Sequence, residues 1–307
     1  MKSSEQLFGL GELRQWSGNA PIKLAVLGDP VAHSASPPMH NAALSACYLS
    51  QRYGRLHILS EELSEAVPLL GRAGFVGVNL TIPHKVAVLP MLDVVDPSAE
   101  LLGAVNTIAI RDQMLFGFNT DGPGLVRAIA ADFGVRLGEL RVLILGAGGG
   151  AGRAIALQCA LEGCPRIALV NRTLEKVEAL AGEVSGVHPA GRSESEVYAL
   201  GSTDTSLAEQ VAMTDLILQC SSLGMHADDP SPLPVEFLQS SHLVYDTIYS
   251  NRSQLITAAA AVGARTANGL SLLLHQGALA FEIWFGRPAP LEIMRAALLE
   301  AAATRGS

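Results

Sequence analysis

Short β-branched and leucine-rich runs alternate with helical patterns along the first 120 residues of the chain. The apolar runs predict five strands and the patterns between them predict two helices. The predicted strands cover residues 23–27, 56–59, 75–80, 105–110 and 115–118, and the predicted helices lie near residues 39–47 and 63–70. Strands separated by helices are typical of βαβ units in a mostly parallel sheet, and the last two strands are close enough to form a hairpin.

A second α/β series begins near residue 140. Its predicted strands cover residues 141–145, 167–170, 216–219, 243–246 and 265–267, with helical patterns between most of them. Residues 186–206 are rich in Ser, Gly and Ala and carry no firm prediction. Two long helical patterns end the chain, over residues 270–285 and 290–303. Helices in that position can return to pack on the first series.

The length of 307 residues suggests about two domains at roughly 150 residues each. We therefore expect an α/β fold with two lobes and a cleft between them. The first lobe is predicted to span residues 1–121 and to be completed by residues 269–307. The second is predicted to span residues 122–268.

Composition narrows the possible functions. Lys and Arg number 21 against 29 Asp and Glu, so the net charge is −8, and this disfavours a nucleic-acid partner. Apolar residues make up 49% and charged residues 16%, which excludes a disordered chain. The apolar residues form no run of about 18 residues, and the N-terminus lacks the layout of a signal peptide, so we expect no membrane partner.

The four cysteines, Cys47, Cys159, Cys164 and Cys220, are few and irregularly spaced. Cys159 and Cys164 have neither a second pair nor histidines at metal-ligand spacing, so no metal site is predicted. Reduced, buried thiols in a cytoplasmic protein are the favoured interpretation.

A glycine-rich turn follows the predicted strand at residues 141–145 and leads into an alanine-rich helix. Such a turn brings backbone N–H groups against a pyrophosphate, whose charge then meets the positive end of the helix. The motif predicts a dinucleotide site, although a glycine-rich βα turn without a ligand has the same composition. The candidate residues are Gly146, Ala147, Gly148, Gly149, Gly150 and Ala151.

The end of the next strand indicates which dinucleotide. A cofactor without a 2′-phosphate usually meets an acidic residue there, whereas this strand is followed by Asn171, Arg172, Thr173 and Lys176. Positive charge and hydrogen-bond donors suit a phosphate dianion, so NADP is predicted over NAD. The alternative is that Asn171 caps the next helix and the basic residues only face solvent.

Polar residues cluster at the predicted strand ends of the first lobe. They are Ser34, Ser36, Thr81, Lys85, Asn106 and Asp121. Because the carboxyl ends of parallel strands form ligand sites, this set suits a small polyhydroxylated acid, with one lysine–aspartate pair for proton transfer. Some of these residues also have a plain structural interpretation: Ser36 and Asp121 as helix caps, and Lys85 as a surface charge on a short helix.

With these motifs in place, the chain resembles the shikimate dehydrogenase family, which reduces 3-dehydroshikimate to shikimate with NADPH. The resemblance covers residues 24–286. It rests on motifs in the family's order: His33-Ser-Ala-Ser-Pro37, Asn79-Leu-Thr-Ile-Pro-His-Lys85, Gly103-Ala-Val-Asn-Thr107, Asn119-Thr-Asp-Gly122, the glycine turn, Asn171-Arg-Thr173, Tyr245-Asp246 and Asn268-Gly-Leu270.

The resemblance implies an N-terminal substrate-binding lobe and a Rossmann-type NADP-binding lobe. It implies that Ser34 and Ser36 hold the substrate carboxylate, and that Lys85 and Asp121 are the catalytic pair. The ring hydroxyls are then held by Asn106, Thr81, Asp121 and Gln276, with Tyr245 nearby, and Gly269 joins the cofactor site. A small-molecule substrate is the expected partner, in a monomer or a homodimer.

Three departures from the family pattern stand near the expected nicotinamide: the run Gln219-Cys220-Ser221, Ser271 in place of a common glycine, and Leu272 in place of a common methionine. Two other functions stay open. One is a quinate/shikimate dehydrogenase of broader substrate and cofactor range. The other is a non-catalytic NADP-binding sensor, which could dispense with both Lys85 and Asp121.

Overall fold

A computed structural model describes residues 6–187, 194–226, 228–249 and 253–304. The chain divides into two compact units. Unit 1 is Met1–Gly124 with Leu273–Ser307, and unit 2 is Leu125–Leu272. The two divisions fall inside helices, a few residues after the lobe boundaries expected from the sequence.

Each unit has its own sheet. In unit 1 the strands are β1 (Leu7–Phe8), β2 (Ile22–Gly28), β3 (Arg52–His57), β4 (Gly77–Leu80), β5 (Val94–Val95), β6 (Thr107–Arg111) and β7 (Met114–Phe118). In unit 2 they are β8 (Arg141–Leu145), β9 (Arg166–Asn171), β10 (Glu196–Gly201), β11 (Leu216–Gln219), β12 (Leu243–Asp246) and β13 (Arg265–Asn268).

The helices stand between these strands and at the end of the chain. In chain order they are α1 (Leu10–Arg14), α2 (Ser36–Ala46), α3 (Leu63–Arg72), α4 (His84–Ala87), α5 (Pro97–Leu102), α6 (Asp121–Phe133), α7 (Gly150–Leu161), α8 (Leu174–Ser185), α9 (Leu207–Ala212), α10 (Gln254–Ala261), α11 (Gly269–Phe285) and α12 (Leu291–Ala303). Among the described residues, none of these helices is long and apolar enough to cross a bilayer.

The sheet of unit 1 has the order β1-β3-β2-β4-β6-β7-β5. Its first four strands are parallel, and β6 runs antiparallel to both β4 and β7. The β6–β7 connection is the hairpin that the sequence predicted, and Asp112 and Gln113 form its turn with φ of 50° and 66°. Two consecutive left-handed residues are the geometry that a tight hairpin turn requires.

One face of this sheet packs on α3 through a core of aliphatic side chains that includes Leu27, Leu56 and Val67. Helix α11 from Leu273 onwards and helix α12 also belong to unit 1. The indole N–H of Trp284 on α11 donates to the carbonyl of Ile108 over 3.0 Å. A Cβ at Gly77 would lie 2.2 Å from the Trp284 ring nitrogen, so this strand position needs glycine.

The sheet of unit 2 is parallel throughout and has the order β10-β9-β8-β11-β12-β13. In sequence order this is 3-2-1-4-5-6, the doubly wound arrangement of dinucleotide-binding domains. The order reverses between β8 and β11, and ligands of such sheets bind outside the strand ends at that reversal. Strand β10 lies in the segment for which the sequence made no firm prediction. Its pairing with β9 defines it, and a local pattern does not show that pairing.

Candidate active site

Lys85 and Asp121 form an ion pair in unit 1. The Lys85 ammonium donates to Oδ2 of Asp121 over 2.7 Å. Their side chains are 33% and 28% exposed, so both remain reachable from solvent while held in a partly buried setting. Lys85 is therefore not a freely solvated surface charge. The two residues are 36 positions apart, and the structure joins them as the sequence predicted.

Lys85 lies on the short helix α4, as expected. Hydrogen bonds made by His84 and Lys85 themselves anchor this helix to its neighbours. The ring of His84, fully buried, lies with Nε2 2.7 Å from the carbonyl oxygen of Ile58. The backbone N–H of Val105 donates to the carbonyl of Lys85 over 2.8 Å. A helix of four residues has little stability of its own, so these tertiary bonds keep it in place.

Asp121 is the first residue of α6. The alternative that it serves as the helix cap is wrong, because the side chain of Asn119 supplies the cap. Oδ1 of Asn119 accepts from the N–H groups of Asp121 and Gly122 at 3.0 and 3.2 Å. The Asp121 carboxylate is thereby free of a capping role and faces the lysine.

A buried hydrogen-bond network surrounds the position of the pair. Oδ1 of Asn106 accepts from the N–H of Thr120 over 2.7 Å, and Nδ2 of Asn106 donates to the Thr120 hydroxyl over 3.0 Å. The Thr120 hydroxyl in turn lies 3.5 Å from Oε1 of Gln276 on α11. Asn106, Thr120 and Gln276 are at most 7% exposed, so their side-chain directions are fixed by these bonds.

The sequence analysis did not select four members of this network as site residues: Tyr53, Asn79, Thr107 and Thr120. Nδ2 of Asn79 donates to the Thr107 hydroxyl over 3.0 Å, and the phenol of Tyr53 donates to Oδ1 of Asn79 over 2.8 Å. Burial raises the pKa of Tyr53, while its hydrogen bond to Ser36 and the charge of Arg55 act in the opposite direction. A polar residue inside the apolar strand 77–80 was the available signal for Asn79.

The two serines lie at the start of α2. The expectation that Ser36 caps this helix is wrong: Ser36 is its first residue, and the N–H of Ser36 donates to the hydroxyl of Ser34 over 3.3 Å. The guanidinium of Arg55 donates to the carbonyl of Ser34 over 2.9 Å and is 6% exposed. A cation therefore lies next to the loop that carries both hydroxyls.

Thr81 follows β4 on the same sheet and lies against β2. A Cβ at Gly28 would lie 2.2 Å from the Thr81 methyl group, so Gly28 leaves the space that Thr81 occupies. The carbonyl of Thr81 also accepts from the N–H of His84 over 3.0 Å, which joins Thr81 to the start of α4.

Tyr245 differs from the expectation that it stands near the substrate. Its side chain is fully buried, and its hydroxyl is hydrogen-bonded to Ser271 at 2.9 Å and accepts from the N–H of Leu272 over 3.0 Å. This phenol holds the first turn of α11 and presents no surface to a ligand. Tyr249, four residues later, is 44% exposed and is the tyrosine of this segment that a ligand can reach.

The glycine turn of unit 2 is shaped by close approaches. Gly146 has φ of 77°, and a Cβ there would lie 2.6 Å from that of Ser221. A Cβ at Gly148 would lie 2.7 Å from the side-chain nitrogen of Asn171. By contrast, Gly150 at the start of α7 meets nothing within 4 Å, so the crest of the turn is open in front of the helix N-terminus. Such an open helix end suits a pyrophosphate.

The basic residues lie beside this turn. Arg172, Thr173 and Lys176 are exposed. The alternative interpretation required Asn171 to cap α8, and it does not. Thr173 holds the N-cap position, and Nδ2 of Asn171 donates to the Thr173 carbonyl over 3.1 Å. Gly269 opens α11, and a Cβ there would lie 2.1 Å from the carbonyl oxygen of Thr247, so glycine is required for this approach.

Local hydrogen bonds hold the unusual run that begins at the last residue of β11. The buried amide of Gln219 donates to the Leu223 carbonyl over 2.7 Å and to the Ser221 hydroxyl over 3.0 Å. Burial raises the pKa of the Cys220 thiol, so this cysteine is not activated as a nucleophile. Within the described ranges, no group of three or more His, Cys, Asp or Glu side chains could hold a metal ion.

Comparisons with known proteins agree with this geometry. Residues 26–108 match the shikimate dehydrogenase substrate binding domain, residues 128–220 match shikimate / quinate 5-dehydrogenase, and residues 269–299 match the shikimate 5′-dehydrogenase C-terminal domain. The shikimate dehydrogenase (NADP(+)) of Symbiobacterium thermophilum is 42% identical over 281 residues, which is 91% of this chain and 94% of that protein.

Solved structures give the same result. Shikimate 5-dehydrogenase of Thermus thermophilus, in complex with NADP(H) and shikimate, is 36% identical with a TM-score of 0.79, covering 91% of this chain and 99% of that one. Quinate dehydrogenase of Corynebacterium glutamicum, in complex with NAD, is 29% identical with a TM-score of 0.82, covering 92% and 100%. With this identity and fold along nine-tenths of its length, the chain belongs to the shikimate dehydrogenase family.

Proposed function

We propose that this protein is an NADP-dependent shikimate dehydrogenase that reversibly reduces 3-dehydroshikimate to shikimate, a step of aromatic amino-acid biosynthesis. The observation that carries the proposal is the 2.7 Å contact between Lys85 and Asp121 amid buried hydrogen-bonding side chains. Substrate binding is assigned to unit 1 and NADP binding to unit 2.

The carboxylate of the substrate is assigned to the start of α2. The hydroxyls of Ser34 and Ser36 donate to it, and the guanidinium of Arg55, 2.9 Å from the Ser34 carbonyl, adds attraction for a negative charge. A buried cation beside hydroxyl donors favours a carboxylate over a neutral group of the same shape.

The ring hydroxyls are assigned to Thr81, Asn106, Asp121 and Gln276. Because the amide of Asn106 is fixed by Thr120, its remaining hydrogen-bonding capacity has a defined direction, which favours one arrangement of hydroxyls over its epimers. The ligand contact expected of Tyr245 is assigned to Tyr249 instead, because Tyr249 is exposed and Tyr245 is fully buried.

The cofactor is assigned to the glycine turn. The open crest at Gly149 and Gly150 admits a pyrophosphate against the N–H groups of α7, and Arg172 with Lys176 and Thr173 binds the 2′-phosphate. NADPH supplies the hydride to the ketone carbon when it is bound. The remaining members of this site are Gly146, Ala147, Gly148, Ala151, Asn171 and Gly269.

Proton transfer is assigned to Lys85. As hydride reaches the ketone, negative charge develops on the carbonyl oxygen, and the Lys85 ammonium both neutralises that charge and delivers the proton. In the oxidative direction neutral Lys85 accepts the proton. Asp121 keeps the ammonium oriented and holds the adjacent hydroxyl.

An assay of NADPH formation tests the proposal directly. Purified protein is given shikimate or quinate, each with NADP or NAD, and kcat/KM is measured for the four pairs. We expect shikimate with NADP to be preferred by at least about tenfold over each other pair, the worth of one lost hydrogen bond or charge contact. Comparable kcat/KM with quinate or NAD indicates the broader quinate/shikimate enzyme, and no turnover with any pair indicates a sensor.

We also infer that the protein acts in the cytoplasm, as a monomer or homodimer. The four cysteines are all free, with Cys159 and Cys164 buried. Unpaired thiols of this kind are typical of a reducing compartment.

A further inference from the structure

Lys85 and Asp121 come from distant parts of the sequence, yet both are tied to one short segment between α5 and β6. The N–H of Val105 donates to the carbonyl of Lys85 over 2.8 Å. The side-chain amide of Asn119 donates to the carbonyl of Ala104 over 2.9 Å. Ala104 and Val105 are consecutive residues. Val105 bonds directly to the backbone of Lys85, and Ala104 bonds to the side chain of Asn119, two residues before Asp121.

The other end of the Asn119 amide holds Asp121. Its Oδ1 accepts from the N–H groups of Asp121 and Gly122, which are among the first donors of α6 and have no partner within the helix. Asn119 is 5% exposed, and three hydrogen bonds fix the plane of its amide. The side chain thus links the first turn of α6 to the segment that also holds α4.

We propose that Asn119 is the positioning residue of the Lys85–Asp121 pair: by capping α6 and bonding to Ala104, it sets the separation and direction of the two charged groups. This rests on the proposed function, which gives the pair its catalytic role. A displacement of about 1 Å at a reacting group can cost about 100-fold in rate, so the cap has a measurable consequence for turnover.

A second tie limits the expected loss. The N–H of Thr120 donates to Oδ1 of Asn106 over 2.7 Å, which keeps α6 near its place when Asn119 is changed. The two charged groups are then displaced by about 1 Å, which breaks their hydrogen bond but keeps them near each other, and turnover falls by part of the full effect of losing Lys85.

The test uses Asn119→Ala, which loses all three bonds, and Asn119→Ser, whose hydroxyl can still cap the helix but is too short to reach Ala104. Asp96→Ala is the matched control. Oδ1 of Asp96 accepts from the N–H of Ser98 over 2.9 Å and caps α5, so this variant loses the same kind of bond in the same unit without touching Lys85 or Asp121.

Three properties are measured for the purified full-length proteins: melting temperature, steady-state kcat and KM with shikimate and NADP, and the Lys85 Nζ to Asp121 Oδ2 distance in crystals. We expect both Asn119 variants to lose about 10- to 100-fold in kcat with little change in KM for NADP. In Asp96→Ala the melting temperature is expected to fall by a similar amount as in the Asn119 variants, while kcat stays unchanged. In Asn119→Ala the distance is expected to exceed about 3.5 Å, beyond hydrogen-bond range.

Either Asn119 variant folded with kcat within about twofold of the parent overturns the inference, since even a 1 Å displacement should cost far more. An unchanged 2.7 Å contact in the crystal of Asn119→Ala overturns it as well. An equal fall of kcat in Asp96→Ala also overturns it, since stability alone then explains the loss. If the parent protein shows no turnover, the proposed function fails, and the crystallographic distance alone decides whether Asn119 positions the pair.

Discussion

Replacing Lys85 by methionine separates the stability of the ion pair from its chemistry. Methionine keeps most of the length of the side chain and removes the ammonium. Both partners of the 2.7 Å pair are about one-third exposed, and ion pairs with that exposure contribute at most about 1 kcal/mol to folding. The melting temperature is therefore expected to fall by no more than about 2–4 °C.

The expected effect on turnover is much larger. A positioned general acid contributes about 10²- to 10⁴-fold, which equals about 3–5 kcal/mol of transition-state free energy at about 1.36 kcal/mol per tenfold. This loss of transition-state free energy is several times the expected loss of folding free energy. Lys85→Met is therefore expected to be a folded protein with a strongly reduced kcat. NADP affinity should be nearly unchanged, since Lys85 is assigned to the proton transfer and the cofactor to the glycine turn.

The assay follows NADPH formation from shikimate under saturating NADP, with NADP affinity measured by fluorescence titration. Lys23→Met is the matched control: the Lys23 ammonium donates to the carbonyls of Gly18 and Ala73 in the same unit, so its loss affects structure without affecting the site. A folded Lys85→Met protein with kcat within about tenfold of the parent refutes the assignment of Lys85 as the proton donor.

Three further predictions concern other residues. Arg172→Ala is expected to raise KM for NADPH by about 10- to 100-fold, the worth of one or two charged hydrogen bonds, and to leave KM for NADH unchanged; equal losses with both cofactors would contradict 2′-phosphate recognition. Arg55→Met is expected to raise KM for shikimate about tenfold but not KM for its methyl ester, whereas Arg52→Met, which changes an exposed arginine of the same strand, should alter neither. Burial lowers the pKa of His40 from 6.5 to about 3, so the unfolded chain binds a proton that the folded chain does not, and stability falls as pH drops from about 6.5 towards 3. His40→Phe should reduce this slope of the unfolding free energy by about 1.4 kcal/mol per pH unit, measured by urea denaturation between about pH 4 and 6, and an unchanged slope would show that His40 is not the group that titrates.

Much of the fold could be predicted because its signals are local. Strands β8, β11 and β12 have the bounds that their apolar runs predicted. The hairpin turn at residues 112–113 connects two strands that are close in sequence. Strand β10 could not be placed, because Leu200 is the one buried residue of its six and its identity comes from pairing with β9.

The candidate site divides in the same way. Residue type and position after a strand were enough to select Lys85 and Asp121, and the structure joins them. The resemblance implied Tyr245 near the substrate, and no local pattern could tell Tyr245 from Tyr249, since burial depends on how α11 and β12 pack. The sequence also left open that Ser36 and Asp121 are helix caps, whereas the side chains that accept hydrogen bonds at those helix starts are Ser34 and Asn119.

The amino-acid sequence by itself determined the two α/β series, the glycine turn and the polar residues at the strand ends, because periodicity and turn chemistry act over a few neighbouring residues. Only the tertiary structure decided which of those polar groups meet. Tyr53, Asn79 and Asn119 act through partners on other strands and helices, and a hydrogen bond of about 3 Å requires a register and packing that no local pattern specifies.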